Sequence, residues 1–217
     1  MQLNVLDVGI QPYLTVLQIQ EDLFNKNLRA KESGESTVNT LILCEHTPVY
    51  TLGKSGKREN ILVPDAELNA EYYHVQRGGD VTFHGPGQLV VYPIFDLETI
   101  GIGLAEYITR LEETIIQTIA EYGLSGERLQ NAAGIWLHVE STSPQKICAI
   151  GVRASRNITM HGLAVNVNTN LSFFDKIVPC GLEGKGVTSI QKELRKIHEM
   201  EKFKEVFIAK FKGVFSL

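Results

Sequence analysis

Leu104, Ile108, Leu111, Ile115 and Ile119 recur at three- and four-residue intervals, which places them on one face of an α-helix. An apolar stripe on one face calls for burial against another layer of the fold. Gly123 can take the left-handed conformation that closes such a helix. The periodicity changes on either side of it. Thr40–Cys44 is a short apolar run suited to a strand buried on both faces, and Tyr72–Gln76 and Leu89–Phe95 are further strand candidates. After the helix, Ile135–Val139, Lys146–Arg153 and Leu163–Val167 are short β-like runs divided by turn residues, which suggests a meander. Two more helices bracket the chain. Pro12 opens one whose stripe is Leu14, Leu17, Phe24 and Leu28, with Glu21 its one polar member. Phe203, Val206, Phe207, Phe211 and Val214 form the other, an amphipathic C-terminal helix expected to dock its aromatic face on the sheet. This order predicts an α+β (mixed α/β) architecture, a single domain over residues 1–217 with a sheet covered by helices.

Charge and cysteine usage narrow the function. A net charge of −4 argues against a phosphate-backbone partner, which needs a concentrated cationic surface, so no nucleic acid is expected. Three cysteines without paired spacing, Cys44, Cys148 and Cys180, do not describe a disulfide framework and fit a reducing compartment. Met1–Gln11 lacks the basic and apolar regions of a secretion signal, and no run of about 18 apolar residues could span a bilayer. The expectation is a cytoplasmic protein with no membrane partner.

Two cofactor motifs fail on single residues. Gly53-Lys54-Ser55 resembles the end of a phosphate loop, but the glycine required five residues before Gly53 is Pro48. His138-Val139-Glu140 with Pro179-Cys180 resembles half of a zinc deaminase, whose second cysteine position holds Glu183. No metal is expected.

The stretch from Arg77 to Gln88 places Gly78, Gly79, Gly85, Gly87 and Pro86 within twelve residues, beside Arg77 and His84. Glycine at this density lets main-chain N–H groups approach a ligand, although a surface hairpin would read the same way. The whole string, Arg77-Gly78-Gly79-Asp80-Val81-Thr82-Phe83-His84-Gly85-Pro86-Gly87-Gln88, resembles the signature of the octanoyl-(acyl-carrier-protein):protein N-octanoyltransferases, the lipoate-protein ligase B family. Glu45–Gly53, Leu89–Pro93, Lys146–Gly151, His161–Ala164 and Pro179–Leu182 resemble the family's other blocks in the right order, so the likeness covers about residues 41 to 191.

The resemblance implies a mixed, largely antiparallel sheet like that of the biotin and lipoate protein ligases and class II synthetases. It also implies a catalytic dyad of Cys180 and Lys146. A thiolate attacks a thioester well, exchange between two sulfurs is close to thermoneutral, and a nearby amine can lower the thiol's pKa or take its proton. The octanoyl group would arrive on the phosphopantetheine of acyl-carrier protein, with no ATP or metal. It would leave on a lysine of a lipoyl domain, from 2-oxoacid dehydrogenase complexes or the glycine-cleavage H protein, the enzyme acting as a monomer. Substrate binding is expected from Arg77, Gly78, Gly79, Asp80, Val81, Thr82, Phe83 and His84. Ala149, Ile150, Gly151, Gly162, Leu163 and Ala164 would add room and apolar walls for a linear chain. Taken singly, Cys180 reads as a buried small hydrophobe and Lys146 as a solvated strand residue; only their joint occurrence with the glycine string favours chemistry. Cys148, two residues from Lys146, lies on the same face if the strand is regular and is a rival thiol. The competing readings are an ATP-dependent lipoate or biotin-type ligase, a thioester hydrolase, and a silent carrier-binding module.

Overall fold

The computed structural model describes residues 3–130, 132–178 and 185–217. Its main sheet runs in the order β1 (Leu3–Gln11), β2 (Asn39–His46), β6 (Gln88–Ile94), β10 (Ile158–Asn166), β9 (Gln145–Ser155), β8 (Ala132–Leu137) and β7 (Glu127–Leu129). β11 (Gly186–Val187) adds to β9. Pairing is antiparallel except for β1 with β2 and β11 with β9. A smaller sheet holds β3 (Val49–Leu52) between β4 (Glu71–His74) and β5 (Val81–His84). The expected mixed, largely antiparallel architecture is what forms, and the meander over β8, β9 and β10 is present.

Helices cover both faces of the main sheet. α1 (Tyr13–Ser33) lies on one, where Val16 and Phe24 pack with Ile42, Val90, Tyr92 and Ala164. α2 (Leu104–Ala120) and α4 (Met200–Phe215) lie on the other, where Leu111, Ile115, Phe207 and Phe211 pack on Leu43, Val91 and Leu163. A short helix, α3 (Ile190–Leu194), follows β11. The C-terminal helix docks its aromatic face as expected, with Phe203, Phe207, Phe211 and Phe215 buried. α1 is rotated from its expected stripe: Tyr13, Val16, Gln20, Phe24 and Asn27 are the buried positions, and Leu14 is 50% exposed. Polar contacts explain the rotation. Asn27 exchanges hydrogen bonds with the main chain of Val38, and Gln20 Oε1 accepts from the His161 N–H. These partners come from distant segments, so a hydrophobic period could not register them.

A bulge in β9 positions the site. Ile135 pairs with Cys148 and Trp136 with Lys146, which leaves Ile147 as the extra residue. Cys148 therefore lies off the face that carries Lys146. It is fully buried with Ile147 in the α2/α4 core, and burial pushes its thiol up. The expectation of a shared face assumed a regular strand, and the inserted residue breaks that alternation.

Candidate active site

Between the α1 face of the main sheet and the loop that carries Arg77 lies a narrow slot of about 40 Å³. Ala149 and Ala164, paired across β9 and β10, lie in its floor with Val90 and Tyr92 of β6. Gly151 and Gly162 are also paired there, with their absent side chains replaced by main chain. A Cβ on Gly151 would meet the Gly78 carbonyl at 2.8 Å, and one on Gly162 would collide with the Val91 carbonyl. The room expected from these two glycines is thus taken up by close backbone packing. Ile150 and Leu163 complete the two strands' contribution to the slot. Tyr13, at the start of α1, closes another side.

The roof is the glycine-rich string, and most of its polar groups hold the loop in shape. The Arg77 guanidinium, 9% exposed, donates to the carbonyls of Thr51 at 2.7 Å, Asp80 at 2.8 Å and Gly78 at 3.0 Å, and to Thr51 Oγ1 at 2.9 Å. The sequence reading gave Arg77 to the ligand; the structure shows four of its hydrogen bonds spent on the loop. Asp80 accepts from the Val81 N–H at 2.6 Å and from Asn60, tying in the chain after Gly53. The Gly78 N–H is taken by the Val152 carbonyl at 3.0 Å, which pins the loop to β9. Of the fourteen positions assigned to substrate, twelve line the slot; Gly78 and Phe83 do not. Phe83 faces the other side of β5, stacked 4.4 Å from Phe173 and edge-on to Phe174.

His84 is the best-defined polar group. Gln88 Nε2 donates to the Phe83 carbonyl and to Asn166 Oδ1, so Gln88 Oε1 is free to accept, and His84 Nδ1 donates to it at 2.8 Å. His84 Nε2 then accepts, with Thr51 Oγ1 at 3.4 Å. Burial, with the His46 ring and the Arg77 charge adding to it, holds this imidazole down at about 3, so it is neutral at pH 7. Asn166 Nδ2 donates in turn to the Thr188 carbonyl, extending the network to the segment after β11. His46 is bound between the Gln11 carbonyl and the Tyr92 hydroxyl and is held near 4 by burial.

Lys146 stands at the opposite end of the slot from His161. It is 7% exposed, with its ammonium 4.6 Å from the centre of the Trp136 ring. β11 runs beside it: Val187 is in register with Lys146, and the Thr188 N–H donates to the Lys146 carbonyl at 3.0 Å. Cys180, with the rest of Pro179–Leu182, lies outside the described residues. Trp136, Gln88, Asn166, Thr51 and Tyr13 are site residues that the sequence reading did not single out. Trp136 carried one usable signal, being the sole tryptophan of the chain, in a strand of the predicted meander.

The model of the lipoyl protein ligase A/B catalytic domain matches residues 12–212. The chain belongs to that family. Within it, the chain is 50% identical to the octanoyltransferase of Bacteroides fragilis strain YCH46, over 92% of this chain and 91% of that protein, which bears out the resemblance seen in the motifs. Solved structures share the fold at much lower identity. The bipartite lipoate protein ligase of Thermoplasma acidophilum is 12% identical, with a TM-score of 0.72 over 100% of this chain and 84% of that one. Biotin protein ligase from Aquifex aeolicus superposes more loosely, with a TM-score of 0.53 at 10% identity over 99% of this chain and 68% of that one. The expected ligase-type fold is therefore present. No helix among the described residues is long and apolar enough to cross a membrane.

Proposed function

We propose that the chain is an octanoyltransferase. It takes an eight-carbon acyl group from acyl-carrier protein, holds it as a thioester on Cys180, and passes it to a lysine of a lipoyl domain. The observation that carries this reading is Lys146, a buried amine on an indole face at the mouth of a slot whose floor is largely apolar. Lysine is rarely buried without a specific use, and a slot one chain wide suits a linear acyl group. The identity to an octanoyltransferase over nearly the full chain supports it, as does β11, which brings the segment following the Pro-Cys-Gly block alongside Lys146.

In the first step Lys146 accepts the Cys180 thiol proton, and the thiolate adds to the donor's thioester carbonyl. The carbonyl–sulfur bond to phosphopantetheine then breaks, and the departing thiolate takes the proton back from Lys146. In the second step the acceptor lysine, as a neutral amine, attacks the Cys180 thioester; an amide forms, the cysteine sulfur leaves, and the amine's proton passes through Lys146 to it. Energy released in going from thioester to amide drives the sequence, so no ATP, metal or other cofactor enters. His84, neutral and fixed by Gln88, keeps the roof in place over the chain. We place the reaction in the cytoplasm, carried out by residues 1–217 as one monomeric domain. The acceptors are the lipoyl domains of 2-oxoacid dehydrogenase complexes and the glycine-cleavage H protein.

The test is to supply octanoyl-carrier protein and a lipoyl domain without nucleotide, and in parallel free octanoate with ATP. Amide on the lipoyl domain should form only in the first mixture. Formation only in the second would replace the transferase reading with an ATP-dependent ligase.

A further inference from the structure

His161 has left-handed backbone, φ +58°, which is uncommon for any residue but glycine, although histidine takes it more often than most side chains do. The anomaly has a geometric consequence. Residues paired across an antiparallel ladder share a side of the sheet. Val152, the partner of His161, packs on the α2/α4 core, as alternation along β9 requires. His161 nevertheless lines the slot on the α1 side. The left-handed residue breaks the alternation and brings one more side chain into the slot.

Three facts show that this side chain is held there without a structural partner. His161 is 3% exposed, and its ring makes no hydrogen bond among the described residues. Its main-chain N–H donates to Gln20 Oε1 at 3.0 Å, and Gln20's own Nε2 is buried without a partner among the described residues. It is also the first residue of β10 to touch the slot, as Gly151 is the last of β9. One rung further along the strands Met160 pairs with Arg153, whose guanidinium lies 5.3 Å over the Phe24 ring, and none of the three lines the slot.

We propose that His161 is the end wall of the acyl slot and sets the length of chain the enzyme accepts. This rests on the reading of the slot as the acyl site. The paired Ala149 and Ala164 lie just inside Lys146, and the Val152–His161 pair is three rungs further along, about 10 Å at the rise of a strand. A staggered eight-carbon chain extends about 9 Å, from carbon–carbon bonds of about 1.5 Å. Eight carbons fill the distance, whereas twelve would overrun it by about 4 Å and drive the chain end into the imidazole.

The experiment offers wild type, His161→Gly and His161→Asn an equimolar mixture of carrier proteins loaded with C6, C8, C10 and C12 chains. Transfer is read by intact mass, and folding by thermal melting. Glycine removes the ring and relieves the left-handed strain; asparagine tolerates that backbone and is shorter than histidine. The C12-to-C8 ratio should rise at least tenfold in His161→Gly and by an intermediate factor in His161→Asn. A purely structural role would lower every chain length together and leave the ratio unchanged, which overturns the proposal. If His161→Gly does not fold, the ratio in His161→Asn decides. Failure of the wild type to accept any chain would overturn the acyl-slot reading itself, a result distinct from an unchanged ratio.

Discussion

Replacing Arg77 by methionine should destabilise the protein as much as it impairs catalysis. Four hydrogen bonds run from the guanidinium to Thr51, Gly78 and Asp80, at 2.7 to 3.0 Å, in a setting only 9% exposed. Hydrogen bonds from a charged donor contribute about 1.5–3 kcal/mol each, and part of that total is offset because methionine no longer has to be desolvated as a cation. The carbonyls of Thr51 and Asp80 lose a donor and stay mostly buried, each costing about 1–3 kcal/mol. A net loss of about 3–5 kcal/mol follows. For a chain of this size 1 kcal/mol moves the melting temperature by about 2–4 °C, so the fall should be at least about 6 °C. Arg77→Lys should recover under half of it, since one ammonium cannot reproduce the fork. Thermal and urea unfolding measure the stability, and steady-state transfer measures the activity. A variant that melts within about 2 °C of wild type but has lost transfer would refute the structural assignment and return Arg77 to the substrate.

Three further outcomes are expected. Burial holds the imidazoles of His46, His84 and His161 at about 4, 3 and 3, below an ordinary value near 6.5. The folded state therefore binds fewer protons than the unfolded chain below pH 6.5, and stability present above that value is lost as pH falls towards 4. Each should cost about 1 kcal/mol between pH 7 and 5.5; urea midpoints that stay level over this range would contradict the assignment. Cys148→Ala should retain acylation at the wild-type rate while losing about 1–2 kcal/mol of stability as a core truncation, and loss of the acyl adduct in this variant would make Cys148 the nucleophile. Gly162→Ala should cost well over 2 kcal/mol, because its Cβ would collide with the Val91 carbonyl rather than with a movable side chain; a stability equal to wild type would show that β6 can yield there.

What could be read from the sequence followed from local pattern. The later part of the α2 stripe (Leu111, Ile115 and Ile119), the β8–β9–β10 meander and the docking of α4 all depend on apolar spacing within one segment, whereas Leu104 at the start of the stripe is 41% exposed. The glycine-rich string was recognisable because its composition is unusual, and twelve of its and the neighbouring strands' assigned residues do meet around one slot. What could not be read depends on pairing between distant segments. α1 turned out rotated because Gln20 and Asn27 bond to β10 and to the segment before β2. The bulge that separates Cys148 from Lys146 is set by how β8 lies on β9. Arg77 looked like a ligand because nothing in local composition shows that its guanidinium folds back onto the carbonyls of its own loop and onto Thr51 of β3. His161 read as the structural start of the His161–Ala164 block, since a left-handed residue in a strand is visible only when its partner's orientation is known. β3 was missed because its four residues are too few to show a period, and β1 because its register shifts between Asp7 and Ile10 and its alternation is broken there.

The central claim is that the acyl group rests on Cys180 with Lys146 handling the proton. The most direct measurement is intact-mass analysis with peptide mapping after mixing the protein with octanoyl-carrier protein and no acceptor. The account predicts one octanoyl group on the peptide containing Cys180, none in Cys180→Ala, and a strongly slowed appearance in a folded Lys146→Ala variant. An adduct that persists undiminished in Cys180→Ala, or one mapped to another residue, would contradict it.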